Sequence, residues 1–306
     1  MPTIYVYSPS GAVRDRAGVR RALRRLQEAG YEVTLDPAAL ARHQRFAGDD
    51  ATRLQAIERA AASGADVVLT TRGGYGLTRL LPQLPYEAIA ASVQRGTAWV
   101  GLSDFTALQM AVLARCGTPT WAGPALLEDW AGEQLDDITV ACFDDLAHGV
   151  GEGTGWRLPL ADRRAHPQLV DGWQLSDGLL WGGNLSIVAG LVGTPYLPTV
   201  EGGVLFLEDV GEHPYRIERL LTQLWLAGIL PRQRAVLLGA FNRYQLTPHD
   251  RGFRFESVVA WLRERLPGVP VLTGLPFGHV PTKVVLPVGR RVDLVVQGRE
   301  VLLLWG

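Results

Sequence analysis

The chain has 306 residues, 47% of them hydrophobic, enough for one large domain or two ordinary ones. Its net charge is -1 with no long run of one sign, which argues against nucleic acid or an anionic membrane as a main partner. Cys116 and Cys142 stand outside any C-x-x-C pair or Cys/His cluster, so neither a disulfide framework nor a metal site is expected, and no cofactor is implied.

The first half alternates strand and helix. Ile4 to Tyr7 reads as a strand, not as part of a signal peptide, and runs into the turn Ser8-Pro9-Ser10-Gly11. A helix follows over Val19 to Ala29, stopped by Gly30, then a strand over Tyr31 to Leu35. Ala51 to Ser63 is a helix, and Ala65 to Thr70 an apolar strand. Thr97 to Val100 is a further strand, and Phe105, Leu108, Val112 and Leu113 after it recur at helical spacing. This rhythm predicts a doubly wound, mainly parallel α/β domain over 1–150, with ligands at the carboxyl ends of its strands. Residues 151–172, loosened by Gly, Pro and charges, read as a linker. Over 173–306 come the glycine-rich run Gly178 to Leu185, the strands Val204 to Leu207 and Ala235 to Leu238, and the helices Tyr215 to Ala227 and Phe255 to Leu266. Short β-type runs at 284–286, 292–296 and 301–304 end the chain, so the second domain is expected to be α+β with a β-rich, barrel-like core. No segment has the roughly 18 apolar residues of a membrane span, and a soluble cytoplasmic protein is expected.

Chemistry concentrates at three places. Gly101-Leu102-Ser103-Asp104 sets Ser103 on a strand-to-helix turn, where a hydroxyl is exposed and backbone N–H groups can receive an oxyanion. Phe105 stands where the last glycine of G-x-S-x-G would be, and a helix N-cap is the ordinary alternative for this serine. Arg72-Gly73-Gly74-Tyr75-Gly76 follows an apolar strand; such a loop can cradle an anion, supply an oxyanion donor or simply turn tightly. Leu207-Glu208-Asp209 ends a buried strand in two carboxylates, and Gly278-His279 lies in a loop stiffened by Gly and Pro. A carboxylate that orients a histidine beside a serine would form a triad, here Ser103, Glu208 and His279. Surface positions are the default for His43, His148, His166 and His249, and a local capping or packing role for His213.

Taken together, Ser8-Pro9-Ser10-Gly11, Arg72 to Gly76, Ser103 to Ala107, Trp181-Gly182-Gly183-Asn184-Leu185, Leu207-Glu208-Asp209, Glu212 to Arg216 and Phe277-Gly278-His279 resemble the LD-carboxypeptidases, a family of serine peptidases. The resemblance implies Ser103 as nucleophile, His279 as base and Glu208 as the acid that orients it. The N–H groups of Asp104 and Gly74 would form the oxyanion hole. It implies a muropeptide substrate that loses a terminal D-Ala, and a homodimer. Arg72 is a candidate for the departing carboxylate, and Trp181 and Asn184 for the pocket wall. Two other readings stay open: a same-family amidase of a peptidyl-nucleotide antibiotic, and a non-catalytic module that binds a nucleotide or phosphate. A metal hydrolase is disfavoured because there is no H-E-x-x-H motif.

Overall fold

The computed structural model describes residues 1–305. They fall into two compact units, 1–151 with 281–288, and 152–280 with 289–305.

Unit 1 opens with β1 (Thr3–Tyr7), α1 (Arg16–Glu28), β2 (Glu32–Leu35), α2 (Asp50–Ala62) and β3 (Val67–Thr70). It continues with α3 (Tyr86–Gln94), β4 (Ala98–Gly101), α4 (Thr106–Cys116), β5 (Thr120–Ala122) and α5 (Asp137–His148). Local chemistry sets the helix starts: Asp15, Asp49 and Asp136 each accept a backbone N–H at the head of α1, α2 and α5. Beyond α1, Gly30 takes the left-handed conformation that ends it. All four residues of β3 are buried, as a strand covered on both faces requires. The sheet order is β2-β1-β3-β4-β5, all parallel. The order reverses between β1 and β3, the switch point where such sheets bind ligands.

Unit 2 holds β6 (Gly153–Arg157), α6 (Leu160–Ala165), β7 (Gln174–Asn184), α7 (Leu185–Gly190), β8 (Val204–Val210), α8 (Pro214–Leu226), β9 (Ala235–Asn242), α9 (Phe255–Arg265) and β10 (Val271–Thr273). The chain then returns to unit 1, where β11 (Leu286–Val288) pairs antiparallel with β5 as a sixth strand. It ends in unit 2 with β12 (Arg291–Gln297) and β13 (Glu300–Leu304). The second sheet runs β10-β9-β8-β7-β12-β13-β6, parallel from β10 to β7 and antiparallel beyond. Its two edge strands approach each other. Trp156 of β6 donates its indole N–H to the Thr273 carbonyl of β10 at 3.2 Å. Asp162 of α6 accepts from the Thr273 N–H and hydroxyl, and His166 accepts the Val271 N–H at 3.0 Å. The barrel-like core is thus drawn together by side chains across its seam.

Two expectations are corrected. The stretch 151–172 is not a linker: it carries β6 and α6, which belong to the second sheet and its seam. The domain boundary is also not a single cut, since 281–288 returns to unit 1. Composition misled here, because a short exposed edge strand with glycines at alternate positions reads like loop.

Candidate active site

In unit 1 three loops meet at the carboxyl ends of β1, β3 and β4. Ser103 follows β4 in a short 3-10 turn, Ser103–Phe105, and its φ is +66°. A left-handed serine is strained, a condition that concentrates at functional sites. Ser103 is not a helix cap: the caps of the turn and of α4 fall on Leu102 and Phe105, without a side-chain hydrogen bond. The glycine loop lies against it. A Cβ on Gly73 would stand 2.6 Å from Ser103 Cβ and 2.8 Å from its Oγ, so only glycine lets the loop approach the hydroxyl this closely. The main chain of Gly11 bonds that of Gly73 at 3.3 Å, which joins the Ser8–Gly11 turn to the same cluster.

Buried charges hold these loops. The Asp104 carboxylate accepts from the Ser10 hydroxyl at 2.7 Å and from the Leu77 N–H at 2.9 Å, so it ties two loops to the serine turn. Burial pushes its carboxyl above the ordinary range, against the pull of the Leu77 and Ser10 hydrogen bonds. Fully buried Arg53 donates to the carbonyls of Pro9 and Gly76 and pairs with Asp50. Arg72 rests on the Ala12 carbonyl at 3.3 Å and is only partly buried, with no acidic partner among the described residues. Its guanidinium could pair with an incoming carboxylate.

Unit 2 pairs the predicted acid and base. Glu208 is fully buried on β8, where the pairing with β9 shifts register between Leu207 and Asp209. His279 Nδ1 lies 2.8 Å from Glu208 Oε2. A carboxylate acceptor there fixes the proton on Nδ1 and directs the imidazole's lone pair to Nε2, the arrangement of a general base. Gly278, at φ +126°, makes the pair possible: a Cβ on it would stand 3.0 Å from Glu208 Oε2. The His279 carbonyl is held by the Asn242 amide at 3.0 Å.

Asn184 and Trp181, expected at the pocket wall, both make buried hydrogen bonds. Asn184 is buried; its amide donates to Glu208 Oε1 at 3.1 Å and Asp209 Oδ1 at 3.0 Å, and its carbonyl accepts from Ile187 N–H at the head of α7. It supports the acid. Trp181 lies three residues back along β7, roughly 10 Å away, and its buried indole donates to Gln233 Oε1 at 2.9 Å. His166 is buried in the seam, not at the surface, and burial and Arg263 lower its pKa, consistent with a neutral acceptor. His213 caps α8, as expected of it.

The sequence reading missed Arg53, Asn242 and the carboxylate of Asp104, and it named Asp209 without assigning it a role of its own. Arg53 had a signal: it shares the buried stripe of Ile57 and Ala60, an unusual place for a charge. The others became recognisable only as partners. Among the described residues no His/Cys/Asp/Glu cluster could hold a metal, and no helix is long and apolar enough to cross a membrane.

Comparison with known proteins agrees with this layout. The family model for the LD-carboxypeptidase N-terminal domain matches residues 4–123, and that for the C-terminal domain residues 177–294. A murein tetrapeptide carboxypeptidase of Pseudomonas aeruginosa is 30% identical over 301 residues, spanning 95% of this chain and 92% of that one. A crystal structure of muramoyltetrapeptide carboxypeptidase from Oxalobacter formigenes has TM-score 0.85 at 38% identity, over 99% of both chains. The microcin C7 self-immunity protein of Escherichia coli is 28% identical over 257 residues, 76% of this chain and 72% of that one. With both domain models matched in order, and with the strained serine turn in one unit and the carboxylate–histidine pair in the other, the chain belongs to the LD-carboxypeptidase family of serine peptidases.

Proposed function

We propose that the protein removes the terminal D-Ala from muropeptide tetrapeptides by two-step acyl transfer through Ser103, His279 and Glu208. The observation that carries the reading is the buried Glu208–His279 hydrogen bond, which sets the imidazole up as a base. The strained Ser103 under the glycine loop supports the choice of nucleophile.

In this mechanism His279 Nε2 takes the Ser103 proton as Oγ attacks the carbonyl before D-Ala. The N–H groups of Asp104 and Gly74 receive the tetrahedral oxygen, and Arg72 receives the free carboxylate of the departing residue. D-Ala leaves with the proton from His279; water, deprotonated by the same imidazole, then releases the tripeptide. Glu208 stays ionised and stabilises the imidazolium that forms in each step. The substrate class follows the names of the Pseudomonas and Oxalobacter relatives. A cytoplasmic place in the recycling of wall peptides, and a homodimer, belong to the same proposal.

The test is mass spectrometry of purified protein with a muropeptide tetrapeptide, beside Ser103→Ala. Loss of one D-Ala by the wild type alone is the expected result. Retained activity in the variant would sink the serine mechanism. Inertness of folded wild type toward the tetrapeptide, with cleavage of a peptidyl-nucleotide, would move the assignment to the activity suggested by the microcin relative.

A further inference from the structure

Unit 2 contains a cavity of about 410 Å³ beside the Glu208–His279 pair that the mechanism above leaves unused. His213, Tyr215 and Arg216 line it from the segment after β8, and Arg243, Tyr244 and Asp250 from the segment after β9. β8 and β9 are parallel, and both segments leave their carboxyl ends, the side on which Glu208 lies.

Arg243 links this cavity to the histidine loop. Its Nη2 donates to the His279 carbonyl at 3.4 Å, and its φ is +58°, a strained conformation for a residue that is not glycine. Three rings cluster in the same lining: His213 and Tyr215 centroids are 4.8 Å apart, and His213 and Tyr244 are 6.5 Å apart. The charges are unevenly paired. The carboxylate of Asp250 already accepts from Thr247 and His213. Arg243 has no acidic partner among the described residues, and Glu212 meets Arg216 only at 3.8 Å, with both side chains partly solvated.

We propose that this cavity binds a carboxylate on the retained part of the substrate, the acidic residue of the peptide stem, with the rings covering the carbons beside it. The inference rests on the tetrapeptide carboxypeptidase reading. Arg243, the guanidinium without an acidic partner among the described residues, suits a monoanion better than a phosphate dianion, and guanidiniums take carboxylates in bidentate fashion. The departing carboxylate is assigned to Arg72 in unit 1, which leaves this cavity to the acyl side.

The experiment compares two tetrapeptides that differ only in whether the stem glutamate carboxylate is free or amidated, with wild type, Arg216→Ala and Arg243→Ala. The wild type should favour the free acid by about tenfold or more in kcat/KM, through KM, as expected for a charge-assisted hydrogen bond. Each variant should shrink that preference severalfold. A wild type without preference overturns the proposal. So does an Arg243→Ala enzyme slowed equally on both substrates, because that is the signature of a role confined to holding His279. Calorimetry on Ser103→Ala keeps the result separate from the fate of the carboxypeptidase reading. The tripeptide acid should bind tighter than its amide, and Arg243→Ala in that background should erase the difference. Absence of tripeptide binding, or its displacement by adenosine monophosphate at similar affinity, overturns the proposal.

Discussion

Ser103 adopts a left-handed backbone that costs roughly 1 kcal/mol or more for a residue with a Cβ. Ser103→Gly is therefore expected to be more stable than Ser103→Ala by about 1 kcal/mol in urea unfolding, while both lack turnover. Equal stabilities would mean that the turn is relaxed and the strain unrelated to function. Glu208→Gln tests the acid. A glutamine donates where the carboxylate accepts, which moves the imidazole proton to Nε2 and removes the base. kcat should fall on the order of 10² to 10⁴ with KM little changed; wild-type kcat would remove Glu208 from the mechanism. The residues of the proposed triad were legible because each stands at a strand end or in a Gly/Pro loop within a recognisable motif. Asp104 was legible only as a backbone donor, since nothing local says that its carboxylate faces Ser10 and Leu77, 94 and 27 residues away in sequence.

At the scale of elements, the carboxyl end of the parallel sheet depends on close contact between loops. Gly73→Ala would drive a methyl group into Ser103, with about 1–3 kcal/mol of destabilisation and loss of activity. An active Gly73→Ala enzyme would show that the glycine loop does not need its close approach to the serine. Asp36 ties β1, α2 and the segment after β2 together, accepting from Tyr5 Oη at 2.7 Å, from Arg59 Nε at 2.8 Å and from the Ala38 N–H at 2.8 Å. Burial would raise its carboxyl, but these bonds outweigh burial and hold it below its ordinary range. The folded state thus binds this proton less readily than the unfolded chain does. The resulting stability is present above the unfolded value of about 3.9 and is lost as pH falls through the lower folded value. Asp36→Asn should be less stable than wild type by about 2 kcal/mol at pH 7, and the gap should narrow as pH drops below about 4. A gap independent of pH would mean that packing, not charge, makes the tie.

At the scale of the molecule, the chain crosses from unit 2 back into unit 1 just after His279. Thr282 donates to Asp136, the Lys283 N–H to the Thr139 hydroxyl, and the Lys283 ammonium to buried Asp129 before β11 joins the sheet. Burial raises the Asp129 carboxyl to about 6 despite Lys283, so the pair is costly to desolvate and more costly to break. Lys283→Met should cost about 3–5 kcal/mol, and adding Asp129→Leu should recover much of that in the double variant. Additive losses would show that the two charges are uncoupled. For the same reason a fragment of residues 1–151 should fail to unfold cooperatively, because it lacks β11 and leaves Asp129 unpaired; a sharp thermal transition in that fragment would contradict this.

Sequence alone determined the alternating strands and helices of unit 1, the parallel sheet they imply, the motif positions of Ser103, Glu208 and His279, and the family. These depend on local periodicity, turn chemistry and short motifs, which are written in neighbouring residues. Only the tertiary structure decided that 151–172 is a strand and helix of the second sheet, that 281–288 belongs to unit 1, and that Asn184 and Trp181 face inward to Glu208 and Gln233. Each of those depends on which distant partner satisfies a buried polar group or an open sheet edge. That choice is made by packing across the whole unit and leaves no periodic trace in the chain.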